Sequence, residues 1–162
     1  MDLRKKVGIV MGSDSDWPVM QNAIECLKRF NISYSVTLVS AHRTSDRLFD
    51  YGKNARSAGF SVLIAGAGGS AHLPGMLAAL TELPVIGVPI SATGLNGIDS
   101  LLSIVQMPRG VPVATVAIDG AFNAGMLSVQ LLGMTDPDLM KQIEQFRKEM
   151  TKTVLQKSLA LE

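Results

Sequence analysis

Two periods of apolar residues alternate along this chain. Short apolar runs at Val7–Met11, Tyr34–Val39, Ser61–Ala65, Val85–Val88 and Val113–Ile118 read as buried strands. Between them the spacing lengthens to that of helices. Trp17, Met20, Ile24, Leu27 and Phe30 recur helically behind Asp16, a good N-cap, with Pro18 in the first turn. Thr44 or Ser45 can cap a helix to about Ala58, and Gly59 suits the left-handed residue that ends one. Met76–Leu80 follows Pro74. Residues 97–105 carry Ile98, Leu101, Leu102 and Val105 on one face, and Pro89 to Asn96 reads as a loop. Residues 121–132 form a small-residue helix suited to close packing, ended by Gly133. Asp136-Pro137 opens a last helix to about Leu161, patterned by Leu139, Ile143, Phe146, Met150 and Val154. At about 24 residues it spans roughly 36 Å, more than a small sheet can cover. Its far end is expected to pack on a neighbouring subunit.

Strands alternating with helices through short connections predict one α/β domain over residues 1–162: a parallel sheet with helices on both faces. In such sheets ligands bind beyond the carboxyl ends of the strands. The loops at that edge are 12–16, 40–43, 65–75, 89–96 and 119–123. The first three hold both histidines of the chain, His42 and His72, together with Arg43, Asp14, Asp16 and serines 13, 15, 40 and 70. The stretch from Ala65 to Gly75 has four glycines in eleven residues, which lets backbone turn sharply and approach a ligand closely.

Composition narrows the chemistry. Apolar residues make up 47% and mean hydropathy is +0.26, high enough to expect buried surface between subunits as well as a covered sheet. Net charge is +1, which gives no field for nucleic acid; Arg4-Lys5-Lys6 reads as a solvated lead-in. No apolar run reaches membrane-spanning length or makes a signal core, and the single Cys26 excludes an internal disulfide, so the expectation is cytoplasmic. Cys26 itself reads as a core thiol.

At the loop edge, Gly12-Ser13 and Gly68-Gly69-Ser70 precede helices, where amides and the helix dipole favour anions. Arg43 offers a forked cation for phosphate or carboxylate, unless it pairs with Asp46 or Asp50. A phosphorylated small molecule is the ligand class these residues suit. Gly66-x-Gly68-x-x-Ala71 matches the dinucleotide fingerprint by letter, but no acid ends the next strand. Two histidines and a helical cysteine do not make a zinc site, and the Gly-x-Ser-x-Gly elbow is absent. No metal or cofactor is expected. Proton transfer by His42 or His72 remains, with His72 also able simply to hold the glycine loop in shape.

The motifs Gly12-Ser-Asp-Ser-Asp16, Ser40-Ala-His-Arg43, Ala65 through Gly75 and Asp99 through Pro108 occur together and in order. With them the chain closely resembles the class I N5-carboxyaminoimidazole ribonucleotide mutases of bacterial purine biosynthesis, over nearly its whole length. The resemblance implies a flavodoxin-like three-layer α/β/α sandwich and a homo-octamer. It implies substrate contacts at Ser13, Asp16 and Arg43, a catalytic role for His42, and a place beside the substrate for His72. Ser40, Gly68, Gly69 and Ser70 complete the expected substrate-binding set. The related class II enzymes carboxylate aminoimidazole ribonucleotide directly; they carry lysine where this chain has Arg43 and lack the His-Leu-Pro-Gly element. This chain departs from the class I pattern at Ser70, where alanine is common. The implied reaction moves a carboxylate from the exocyclic nitrogen to ring carbon C4, through loss, trapping and readdition of CO2, with His42 shuttling the proton.

Overall fold

The computed structural model describes residues 6–159, so Arg4 and Lys5 of the basic lead-in lie outside the described residues. In chain order the elements are β1 (Lys6–Met11), a single 3-10 turn (Asp14–Asp16), α1 (Trp17–Arg29), β2 (Ser33–Leu38), α2 (Ser45–Asn54), β3 (Phe60–Gly68), α3 (Leu73–Ala78), β4 (Val85–Ile90), α4 (Ile98–Val105), β5 (Ala114–Thr115), α5 (Ala121–Gly133) and α6 (Pro137–Leu159). The strands form one sheet in the order β2-β1-β3-β4-β5, every neighbouring pair parallel. This is the flavodoxin-like order. The chain reverses direction across the sheet between β1 and β3, so the loops after those two strands flank a crevice.

Alternation along the central strands sorts the core into two layers. Val7, Ile9, Val62, Ile64, Ile86 and Val88 meet α1, α5 and α6 on one face. Val10, Leu63, Ala65 and Val85 meet buried residues of α2, α3 and α4 on the other. Both faces are covered, as the unbroken apolar runs require. The small residues of α5 allow close approach to α1: a Cβ at Gly125 would lie 2.7 Å from the Cβ of Cys26. Cys26 is buried, and desolvation pushes its thiol up to about 12, which fits a core thiol.

Several sequence expectations shift. β3 runs on to Gly68, so the first half of the glycine stretch is strand, and β4 takes in Pro89 and Ile90. α2 stops at Asn54, with turns leading to Gly59 at φ +84°. β5 keeps only two ladder residues; Val116 and Asp119 still donate to Gly87 and Pro89 of β4, so the segment follows the sheet edge irregularly. Gly133 is the last residue of α5 and packs beneath Ile143 instead of supplying a left-handed stop. The apolar face of α4 points outward. Ser100 and Ile104 are buried, while Ile98, Leu102 and Val105 are exposed. In α6, Leu139 and Ile143 are buried but Met150 and Val154 are 47% and 66% exposed. Asp136 caps α6 by accepting from the Asp138 and Leu139 amides.

Candidate active site

The crevice between the ends of β1 and β3 holds a cavity of about 370 Å³. On its β1 side, Ser13 caps the 3-10 turn and Asp16 reaches back to accept from the Ser13 amide at 3.0 Å, a reciprocal capping box. Asp16 therefore does not cap α1; it closes the loop before it. It is 4% exposed, and burial raises its carboxyl above the usual range, opposed by the Ser13 and Gly12 amides and the Arg43 charge. Ser15 donates its amide to the Ser13 hydroxyl and to Asp14. The amides expected to be free for an anion here already serve the loop's own side chains. Asp14 is exposed, as its middle position in the motif suggested.

The β2 side is built by Thr44. Its backbone amide and hydroxyl both donate to the Ser40 carbonyl, and the hydroxyl accepts from the Ser40 amide at 2.9 Å. This closed turn throws His42 and Arg43 toward the cavity. The Arg43 guanidinium donates to the Ser40 hydroxyl at 3.2 Å and to the Gly12 carbonyl at 3.1 Å. Among the described residues it makes no ion pair with Asp46 or Asp50. A guanidinium braced by neutral acceptors keeps its charge for a ligand.

On the β3 side, Gly68, Ser70 and His72 line the cavity. Gly69 lies outside the lining, at φ +62°, where it turns the chain out of the strand. Among the described residues the Ser70 and Ala71 amides donate to no protein acceptor, although Ala71 is only 1% exposed. α3 has only six residues, so these two amides carry more of any anion affinity than its dipole does. The His72 ring meets His42: Nδ1 of His72 lies 2.7 Å from Nε2 of His42, with the rings 83° apart. One bridging proton satisfies that contact; a second, one on each facing nitrogen, would break it.

A sequence profile of the AIR carboxylase family matches residues 6–153. The chain belongs to the AIR carboxylase family. Its relatives include the N5-carboxyaminoimidazole ribonucleotide mutase of Thermotoga maritima, 57% identical over 97% of this chain and 92% of that protein. The protein of the same name from Mycobacterium leprae is 54% identical over 100% of this chain and 95% of its own length. The phosphoribosylaminoimidazole carboxylase of Candida glabrata is 56% identical over 96% of this chain, which spans only 27% of that longer protein. The crystal structure of Treponema denticola PurE superposes with a TM-score of 0.89, covering 98% of this chain and 99% of that one at 24% identity, a likeness of fold.

The sequence-predicted residues of this AIR carboxylase family member thus converge, Gly69 excepted. Sequence reasoning missed Ala92, which enters the cavity lining from the loop after β4. A Cβ added at Gly68 would lie 2.4 Å from the Ala92 Cβ. The only signal available was the small residue at 92 in a loop already assigned to the ligand edge. Among the described residues no cluster of three His, Cys, Asp or Glu could hold a metal, and no helix is long and apolar enough to cross a membrane.

Proposed function

We propose that this protein is a mutase of de novo purine biosynthesis, converting N5-carboxyaminoimidazole ribonucleotide to 4-carboxy-5-aminoimidazole ribonucleotide. The observation that carries this reading is the hydrogen-bonded His42–His72 pair, set opposite Arg43 and Asp16 around one cavity. The carbamate N–C bond breaks to release CO2, and the exocyclic nitrogen takes up a proton. Ring carbon C4 then attacks the retained CO2, and the C4 proton leaves. Protons taken and returned are equal, so a single shuttle suffices. His42 is that shuttle, and His72 holds its facing nitrogen in a fixed donor–acceptor relation while the proton is away. The unpartnered Ser70 amide, at the cavity lining, is available to the negative charge that builds on the migrating carboxylate. Arg43 takes the phosphate, with Ser13 and Ser40 beside it. Asp16, a buried anion, accepts from a ribose hydroxyl or the ring amine, since a phosphate would repel it.

The decisive experiment supplies purified protein with N5-carboxyaminoimidazole ribonucleotide, without bicarbonate, and follows the C4-carboxylated product. The wild type converts it, and His42→Asn binds substrate but loses about 10²–10⁴-fold in turnover. Near-normal turnover, or loss of binding, in that variant removes His42 from the shuttle role. The carboxylase name borne by the Candida glabrata relative makes direct carboxylation the second reading. Product formed only from aminoimidazole ribonucleotide plus bicarbonate decides for it. Assembly into an octamer belongs to the same proposal. The outward apolar face of α4 and the exposed Val154 and Leu155 of α6 support burial between copies. A monomeric mass in light scattering overturns that part.

A further inference from the structure

The loop between β4 and α4, residues 91–97, is tied down by two carboxylates that no step above uses. Asp119 lies past β5 at φ +57°, with its amide bonded to the Pro89 carbonyl of β4 at 2.8 Å. Its two carboxylate oxygens take both donors of Ser91: the amide at 3.0 Å and the hydroxyl. Asp99, in the first turn of α4, accepts from the Thr93 hydroxyl at 2.8 Å, and that hydroxyl in turn accepts from the Leu95 amide. Ala92 sits between these two grips. Its methyl fills the space that a side chain at Gly68 would need, and the Thr93 methyl lies 3.6 Å from where a Cβ of Gly69 would be. Through Ala92, the one residue of this loop in the cavity lining, the clamped loop contributes to the wall along the carboxyl end of β3. The loop's own residues 91–96 are solvent-exposed, so burial does not hold them there; besides the Ala92 amide's bond to the Ile90 carbonyl and the Asn96 amide's bond to the Thr93 carbonyl, the two carboxylates supply the ties from outside the loop.

We propose that Asp119 is a positioning residue that, through Ser91, seats Ala92 against Gly68 and closes the wall that retains CO2 between its release and its attack by C4. Asp99, through Thr93, is the second latch on the same wall. The proposal rests on the mutase reading. Chemically, the intermediate has two fates. CO2 bonds to C4, which then gives up its proton, or CO2 diffuses out and leaves aminoimidazole ribonucleotide with the proton on its nitrogen. A looser wall changes the partition between them, a quantity that general destabilisation of the fold leaves alone.

The test is single-turnover reaction of N5-carboxyaminoimidazole ribonucleotide with excess enzyme, measuring C4-carboxylated product and free aminoimidazole ribonucleotide together. Wild type, Asp119→Ala, Asp119→Asn, Ser91→Ala and Thr93→Val are compared. Asp119→Ala is expected to raise the leaked fraction about tenfold. Ser91→Ala and Thr93→Val, which remove one donor each, raise it less. Asp119→Asn, which keeps an acceptor for the Ser91 amide, restores most of the wild-type partition. An unchanged partition in Asp119→Ala, or in Ser91→Ala should the former fail to fold, overturns the positioning role while leaving the mutase reading intact. A wild-type enzyme that forms no C4-carboxylated product overturns both.

Discussion

The two walls of the crevice recognise a ligand by different means. The wall after β1 and β2 is made of side chains: Asp16 is buried and hydrogen-bonded to its own loop, and Arg43 is braced by Ser40 and Gly12. Apart from His72, the wall after β3 and β4 is made largely of backbone and methyl groups: Gly68, the unpartnered Ser70 amide, and Ala92. The first wall suits charged and hydroxylated groups that must be bound and let go. The second suits a small uncharged molecule that must be kept close and dry. His42 and His72 bridge the walls, one from each, through their 2.7 Å contact. Binding and chemistry should therefore fail separately when the two walls are altered separately.

The largest effect is expected on the methyl-and-backbone wall. In Gly68→Ala the new methyl would sit 2.4 Å from the Ala92 Cβ and 3.3 Å from the Ile90 carbonyl oxygen, so the clamped loop must move. Overpacking of this kind costs about 1–3 kcal/mol of stability. Turnover should fall at least about 100-fold, because a 1 Å displacement in a reacting site costs that much. The double variant Gly68→Ala with Ala92→Gly removes the methyl in the way and should recover most of both losses. Urea denaturation and kcat together check this. No recovery in the double variant would mean that the Ile90 carbonyl oxygen, 3.3 Å from the new methyl, excludes it whatever stands at position 92.

On the side-chain wall the expected failure is in binding. Arg43→Lys keeps the charge and loses the fork that reaches Ser40, Gly12 and a ligand at once. A hydrogen bond to a charged group is worth about 1.5–3 kcal/mol, so KM should rise about 10- to 100-fold with kcat within a few-fold of wild type. Steady-state kinetics measures it. A fall in kcat at unchanged KM would move Arg43 to the chemical side of the comparison.

The sequence exposed these two walls unequally, for a physical reason. The side-chain wall was legible because its residue types are rare and chemically specific: His42, one of only two histidines in the chain, an arginine beside a strand end, and carboxylates in a serine-rich turn. The order of strands and helices was equally legible, since apolar runs and helical spacing are local. What was not legible depended on contacts made across the fold. Nothing in residues 65–75 says that β3 continues to Gly68, because it is β4 pairing with Ala67 and Gly68 that extends it. Nothing near Ala92 announces that Asp119, 28 residues from Ser91, holds it in place. The face of α4 was patterned like a core face, but Ser100 bonds the Ile90 carbonyl and Ile104 fills the space over Gly87, which turns the apolar stripe outward. Periodicity identifies an apolar face; it does not say which surface that face will meet.

A milder expectation concerns Asp16. Burial raises its carboxyl in the folded protein, so the folded state binds its proton more tightly than the unfolded chain does. Its contribution is fully favourable when the pH is below the ordinary carboxylate range, and it declines as pH rises from that range through the raised value. Asp16→Asn cannot ionise. The Tm of the variant relative to wild type should therefore climb as pH rises from the ordinary carboxylate range through the raised value, while substrate affinity at neutral pH falls about tenfold. A stabilised variant that binds substrate normally would mean that the buried charge does not serve the ligand.

The smallest effect is the mirror image, on the other wall. The Thr93 hydroxyl is the main cause holding the Asp99 carboxyl below the usual carboxylate range. Here the unfolded chain binds the proton more tightly. The stabilisation is complete above the ordinary carboxylate range and is lost as pH falls through the lowered folded value. Wild type should thus gain Tm over Asp99→Asn as pH rises from the lowered value to the ordinary carboxylate range and keep it from there to neutrality, the opposite sign to the Asp16 pair. Asparagine keeps an acceptor for Thr93, and Asp99 is only half-buried, so the slope should be shallow. Opposed slopes from two carboxylates on one crevice separate their jobs. Asp16 is an anion held ready at a cost to the fold, and Asp99 is an anion that the fold itself uses to fasten the wall. Parallel slopes would place both carboxylates in the same structural role and erase the distinction between the walls.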